Sequence, residues 1–317
     1  MTPKYPNRIK HNVAVNRLAR WYLNARNLRL EKVIFSATTG RSGTMSLTSL
    51  FSKVPGCRAL HEPYPIMNGP WLRAASYGHT DDVRRYYERV KAINIRRAAI
   101  GARYYLEVNH QFIKTFIEHA VRDFGDRVEV IHLVRPVVEV ARSIYYLQHW
   151  PGTTAGNHWW LDYRAPSNLI QLPDLLDGKG EFSHPFYKAL WYWYETEARV
   201  RFWQEKLPDV RFHHFETHWI NDRQRIFTLL DDLKIEYDRD QLLFTGGVRE
   251  NTKEQKEQKE QRVPKGHVRA QESTQPMIER SLDQDVTQQM NERFRTVLTN
   301  RGLWRETPVP ALSPHHS

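Results

Sequence analysis

Between Gly40 and Thr44 the chain reads GRSGT, two glycines with an arginine and two hydroxyl residues among them. Glycine lets the backbone come close to a ligand, and free N–H groups at a helix start point at negative charge. That loop is suited to a phosphate or a sulfate. Gly40 and Gly43 supply the turn, the backbone amides of Arg41 to Met45 the cradle, and Arg41, Ser42 and Thr44 side-chain donors. A second group stands at HLVRP, where Arg135 closes an apolar run and Ser143 falls in the first two turns of the segment that follows. A guanidinium makes forked, charge-assisted contacts and a hydroxyl a single one, so the two can converge on one anion. The third is His61-Glu62-Pro63. Glu62 carries a carboxylate, and His61 beside it an imidazole that titrates near neutral pH, an alternative proton acceptor.

The elements around these residues follow from hydrophobic period. Val33, Ile34 and Phe35 read as a buried strand ahead of the loop, and Met45, Leu47, Leu50 and Phe51 recur at helical spacing after it. Cys57 to Leu60 makes a second strand ending at His61, and Tyr64 to His79 reads as loop. A basic helix is expected over Asp81 to Ile100, with Val83, Tyr86, Val90 and Ile93 inward. Tyr104 to Val108 and Val128 to Val134 are two more strands, with a helix from His110 to Phe124 between them. Pro136 opens a helix after the second of these. Trp150 to Gly180 has no period, helix resumes at Pro185 with Phe186, Leu190, Trp193 and Tyr194 on one face, and Val210 to Phe215 is a fifth strand. Helices are expected over Asp222 to Leu233 and Pro276 to Leu298. Strands alternating with helices predict an α/β fold with a parallel sheet flanked by helices. Side chains alternate across a strand, so His61 and Glu62 should face opposite ways if the strand runs through both.

Within 317 residues we expect a basic N-terminal helical segment over 1–30, one α/β domain over 31–305 and a disordered tail over 306–317. Inside the domain, 150–184 is an irregular insertion. Residues 249–266, with Lys-Glu-Gln repeated, form a polar loop or lid that carries too little apolar surface to pack. A hydrophobic content of 40% supports a substantial core. The net charge of +11 suits nucleic acid, an anionic membrane or an acidic small molecule. The single cysteine, Cys57, excludes a disulfide framework and any cysteine-based zinc cluster, and no metal is implied. No apolar run is long enough to span a bilayer and no secretory signal is visible, so the expectation is a cytoplasmic protein. Residues 4–32 read as a solvated packing helix, with a basic amphipathic helix lying on a membrane as the alternative.

An ATP-binding loop would read GxxxxGK[ST], with lysine on the terminal phosphates. Here Met45 and Ser46 stand where that lysine and hydroxyl would be. GRSGT instead resembles the 5′-phosphosulfate loop of sulfotransferases that use 3′-phosphoadenosine 5′-phosphosulfate (PAPS). VIHLVRPVVEVARSIYYL is similar to their 3′-phosphate segment, in which a strand-end arginine and a later serine, here Arg135 and Ser143, hold that phosphate. RSGT followed by HEP resembles the carbohydrate and tyrosylprotein branches, which implies Glu62 as the base and Arg41 as a catalytic cation. HFETHWI from His214 loosely resembles a later segment. The resemblance covers roughly residues 31–150 well and 185–235 weakly. It implies a P-loop-like three-layer fold, PAPS as co-substrate without a metal, and transfer to a hydroxyl of a small-molecule or glycan acceptor.

The chain departs from that pattern where many relatives carry a lysine, in the first loop or at the end of the third strand: here the first position is Arg41, and the third strand runs into Asn109-His110. The cation for the leaving phosphate is then Arg41 or His110. Arg262-Val263-Pro264-Lys265-Gly266 is a weak echo of the family's late clamp. Among Tyr145, Tyr146, Trp150, Trp159, Trp160 and Tyr163, some are expected to line the acceptor pocket. The competing readings are a nucleotide kinase or ATPase, and a basic nucleic-acid-binding protein; no nucleic-acid partner is expected.

Overall fold

A computed structural model of the chain describes residues 13–240 and 282–305, with side chains from Leu18 onward in the first stretch. Among these residues five strands, β1 (Lys32–Ala37), β2 (Cys57–His61), β3 (Tyr104–Val108), β4 (Val128–Val134) and β5 (Arg211–Glu216), form one sheet in the order β2-β3-β1-β4-β5. Every pairing is parallel. The expected α/β class with a central parallel sheet flanked by helices is therefore the one observed.

The alternation of side chains in β1 shows how the layers are made. Val33, Phe35 and Ala37 join one buried cluster while Ile34 joins another. The first cluster is covered by α4 (Thr80–Tyr86), α5 (Ala92–Ala98) and α6 (Ile117–Phe124), the second by α2 (Thr44–Ser52) and α11 (Arg223–Asp232). A parallel sheet covered on both faces gives strands that are apolar throughout, as VIF in β1 is. The order also reverses at β1: β3 lies on one side and β4 on the other. The carboxyl ends of β1 and β4 thus open a crevice, the usual ligand position in such sheets.

Four elements differ from expectation. The Tyr64–His79 loop contains a helix, α3 (Pro70–Ser76), begun at Pro70, where a missing N–H costs nothing. The Asp81–Ile100 helix is interrupted by a π turn at Tyr87–Lys91. One extra residue in the turn rotates the inward face, so Tyr87, Lys91 and Ile95 are buried while Tyr86 and Val90 are half-buried. A second π turn, Phe112–Phe116, precedes α6.

The helix from Pro185, α10 (Pro185–Lys206), is buried almost all round rather than on one face. It is the post to which the rest is tied. Trp191 donates to the Ile170 carbonyl in the stretch over 150–184, Trp193 to Arg135, Tyr194 to Asn291, and Trp203 to Ile113. Buried Glu195 accepts from the amides of Leu169 and Ile170 and from Arg199. The stretch over 150–184, which includes short helices α8 (Gly156–Trp159) and α9 (Pro173–Leu176), is held to this helix by those bonds and by apolar packing. After β4 comes α7 (Val137–Tyr146), and the last described helix is α12 (Gln284–Asn300). The expectations for residues 1–12, the 249–266 lid, the start of the Pro276 helix and the 306–317 tail lie outside the described residues. No helix among those described is long and apolar enough to cross a membrane.

Candidate active site

The GRSGT loop joins β1 to α2 through three left-handed residues, Gly40 (φ 76°), Arg41 (φ 58°) and Gly43 (φ 76°). Such turns aim successive backbone N–H groups into one concavity. The two glycines are also needed for space. A Cβ on Gly43 would lie 2.9 Å from Thr217 Cγ2, and one on Gly40 would press on His110 and Trp160 at 3.3 Å. Arg41 bears its positive φ without that excuse, a strain of the kind that collects at functional sites.

The loop opens into a cavity of about 690 Å³ whose wall includes Arg41, Thr44, His61, Glu62, His110 and Arg135. Gly40, Gly43, Met45, Trp159, Trp160 and Thr217 complete much of the rest. Ser42 corrects an expectation. Its hydroxyl is buried, donates to the Gly40 carbonyl and pairs with Thr39, so it braces the loop instead of facing a ligand. The Thr44 hydroxyl lies 3.0 Å from His61 Nε2.

Arg135 and Ser143 do not meet each other directly; both meet Arg41. Arg135 Nη1 donates to the Arg41 carbonyl at 2.7 Å, and its Nε donates to Glu139 at 2.8 Å. Arg41 Nε donates to Ser143 Oγ at 2.9 Å. Two guanidinium groups thus stand at one end of the cavity. Burial, and the neighbouring positive charge of Arg135, lower the Arg41 pKa. Thr217, in the segment after β5, places its hydroxyl 2.9 Å from the Ser42 carbonyl and 3.0 Å from that of Val134, clipping the loop to the end of β4.

His61 and Glu62 both reach the cavity, against the alternation expected of a continuing strand. β2 stops at His61, and Glu62 has φ 44°, so the backbone turns and brings the second side chain to the same side. Glu62 Oε1 lies 2.6 Å from His110 Nδ1. The amide of Gln111 approaches both His110 Nε2 and the Trp159 carbonyl at 2.8 Å. Nε2 also lies 3.2 Å from the Trp159 carbonyl, so Gln111 and Trp159 together hold the far edge of the ring. Burial, and after it the Lys114 charge, push the His110 pKa down, while the hydrogen bond and charge of Glu62 pull it up. His110 is thus the hydrogen-bond partner of Glu62. Burial works to raise the Glu62 carboxyl, but the hydrogen bond and charge of His110, with His61 and Lys114, outweigh it and hold the carboxyl below the usual range.

Sequence reading missed Lys114. It is buried, donates to the Tyr192 hydroxyl, and Tyr192 donates at 2.7 Å to the Thr39 carbonyl at the root of the loop. Desolvation first, then Arg199, drives its pKa well below the ordinary amine value. Lys114 lies in a π turn and Tyr192 on α10, so no spacing near the loop could reveal them. Of the aromatic candidates, Trp159 and Trp160 line the cavity, Tyr145 and Tyr163 are core, Trp150 packs beside that core, and Tyr146 is exposed. Trp160 also lines a second cavity of about 500 Å³, with Leu72, Arg73, Tyr77 and His158 on its wall.

Comparison with known proteins adds one likeness. The chain is similar to a solved structure described as "Sulfotransferase Domain from the Curacin Biosynthetic Pathway". The TM-score is 0.44 at 15% identity, over 69% of this chain and 82% of that one. No protein-family model matches the chain, and no curated protein sequence matches it. A likeness of that size decides nothing about the chemistry, which rests on the geometry of the loop and its cavity.

Proposed function

We propose that the protein is a sulfotransferase that moves the sulfuryl group of PAPS to a hydroxyl of a small-molecule or glycan acceptor. The observation that carries the reading is the convergence on one cavity of an anion loop, two arginines and a hydrogen-bonded carboxylate base. The loop amides from Arg41 to Met45 and the Arg41 guanidinium fit a 5′-phosphosulfate, and Arg135 with Ser143 fits the 3′-phosphate. In the transfer, the bond from sulfur to the bridging phosphate oxygen breaks and a bond from sulfur to the acceptor oxygen forms. The acceptor proton passes to Glu62, and adenosine 3′,5′-bisphosphate leaves. The loop donors offset charge on the bridging oxygen as it develops, and His110 keeps Glu62 ionised and aimed. Catalysis of this type rests on positioning and electrostatic stabilisation. Trp159 and Trp160 offer an apolar wall for the acceptor.

The test is transfer of labelled sulfate from PAPS to a panel of sugars, phenols and aliphatic alcohols, together with retention on immobilised adenosine 3′,5′-bisphosphate. Labelled product and retention in competition with ATP support the reading. Retention on ATP alone would favour a nucleotide kinase or ATPase. Binding to neither, with an affinity for oligonucleotides that falls steeply with salt, would favour nucleic acid.

A further inference from the structure

The first helix, α1 (Val13–Arg26), is oriented against the usual rule for a surface helix. From Leu18 on, its inward side is secured largely by polar groups. Arg20 pairs with Asp123, which also holds Arg96. Arg96 Nε donates to Asn24 Oδ1 at 2.7 Å, and Asn27 Nδ2 donates to the Arg96 carbonyl at 2.8 Å. Among the described side chains, Leu23 and, just beyond the helix, Leu30 are the apolar ones buried there. The large apolar side chains on the other side face outward: Leu18 is 68% exposed, Trp21 72%, Tyr22 54% and, just beyond the helix, Leu28 87%. Leu18, Trp21 and Tyr22 are spaced i, i+3, i+4, so they form one stripe.

We infer that this stripe is a docking face for an anionic lipid surface, with α1 lying flat on it. Contiguous exposed apolar surface marks an interaction site, and its flanking charge selects the partner. Arg26 and Arg29 are exposed beside the stripe, α1 contains no acidic residue, and the sequence ahead of it adds Lys4, Arg8 and Lys10. Leucine with tryptophan and tyrosine, flanked by arginine, is the composition of an interfacial helix, whose aromatic rings sit at headgroup level. Fourteen residues rise about 21 Å, short of the bilayer core, so the helix lies on the surface. The Arg20–Asp123–Arg96 network ties the docked helix to the body of the protein.

The test uses the full chain and sedimentation with phosphatidylcholine vesicles, with and without phosphatidylserine. The expected result is binding to the phosphatidylserine vesicles that weakens with salt, and little binding to phosphatidylcholine alone. A triple substitution, Leu18→Ser, Trp21→Ser and Leu28→Ser, should lower vesicle affinity about tenfold or more with circular dichroism and melting temperature unchanged. Arg26→Glu with Arg29→Glu should weaken binding to the anionic vesicles alone. Failure of the unmodified protein to bind, or undiminished binding by the triple variant, overturns the inference. So does a dimer in sedimentation equilibrium that the triple substitution converts to monomer without any vesicle binding, since the stripe would then seat a second copy.

Discussion

At the scale of single residues, the pair Glu62–His110 makes the sharpest claims. Loss of a positioned general base typically costs about 10²–10⁴ in rate. Glu62→Gln should therefore lower kcat by that order while the dissociation constant for adenosine 3′,5′-bisphosphate changes little. His61→Gln should cost much less, because its ring is bonded to Thr44 and not to the base. Initial rates and calorimetry of both variants check this, and an inactive His61→Gln beside an active Glu62→Gln would reverse the assignment. The partner is tested by pH. His110 lowers the Glu62 pKa against the opposing effect of burial. In His110→Leu that hydrogen bond and charge are gone and only His61 and Lys114 still oppose burial, so the acidic limb of kcat/KM should move up toward neutrality, and an unmoved limb would deny the coupling. Arg135→Ala should weaken adenosine 3′,5′-bisphosphate by about 1.5–3 kcal/mol, the worth of a charged hydrogen bond. Because Arg135 also holds the Arg41 carbonyl, adenosine 5′-phosphosulfate should lose some affinity too, but less. Equal losses would place Arg135 away from the 3′-phosphate.

At the scale of elements, the loop between β1 and α2 depends on segments remote in sequence. Gly43 is left-handed and its missing Cβ leaves room for Thr217 after β5. Gly43→Ala forces an unfavourable backbone and a contact with a side chain that is itself clipping the loop. We expect a loss of about 1–3 kcal/mol in urea unfolding, with weaker anion binding. Stability and affinity equal to those of the unmodified chain would show that the loop relaxes without cost. The HEP segment teaches a similar lesson. Alternation holds only while a strand continues; β2 stops at His61, and a turn at Glu62 resets the direction of its side chain.

At the scale of the whole molecule, Glu129 fastens the edge of the sheet to its centre. It sits on β4, buried, and receives Lys32 from β1 and Arg211 and His213 from β5. Burial opposes its ionisation, yet hydrogen bonds from His213, Lys32 and Arg211 hold its pKa at about 2. In an unfolded chain the value is about 4.3. A depressed folded-state pKa stabilises the fold above the unfolded value, and that contribution drains away as pH falls from there through about 2. It is on the order of 1–3 kcal/mol at neutral pH. The unfolding free energy of the unmodified protein should therefore fall more steeply across that acid window than that of Glu129→Gln. Parallel curves would mean that Glu129 titrates alike in both states.

The five strands, the glycine loop after β1 and the parallel α/β class were legible in the sequence, and so was the placing of Arg41, Glu62 and Arg135 just beyond strand ends. They rest on signals carried by neighbours: apolar runs, glycine placement, and residues at the ends of strands. Only the tertiary structure decided that Arg41 stands between Arg135 and Ser143, that the Ser42 hydroxyl turns inward, and that His110 serves Glu62. The same holds for the link from Lys114 through Tyr192 to Thr39, whose members are separated by many tens of residues. Contacts of that kind follow from how α10 and the π turn after β3 pack over the loop. Packing brings together side chains whose positions in the sequence carry no common period, so their meeting is written in the fold and not in any local stretch of the chain.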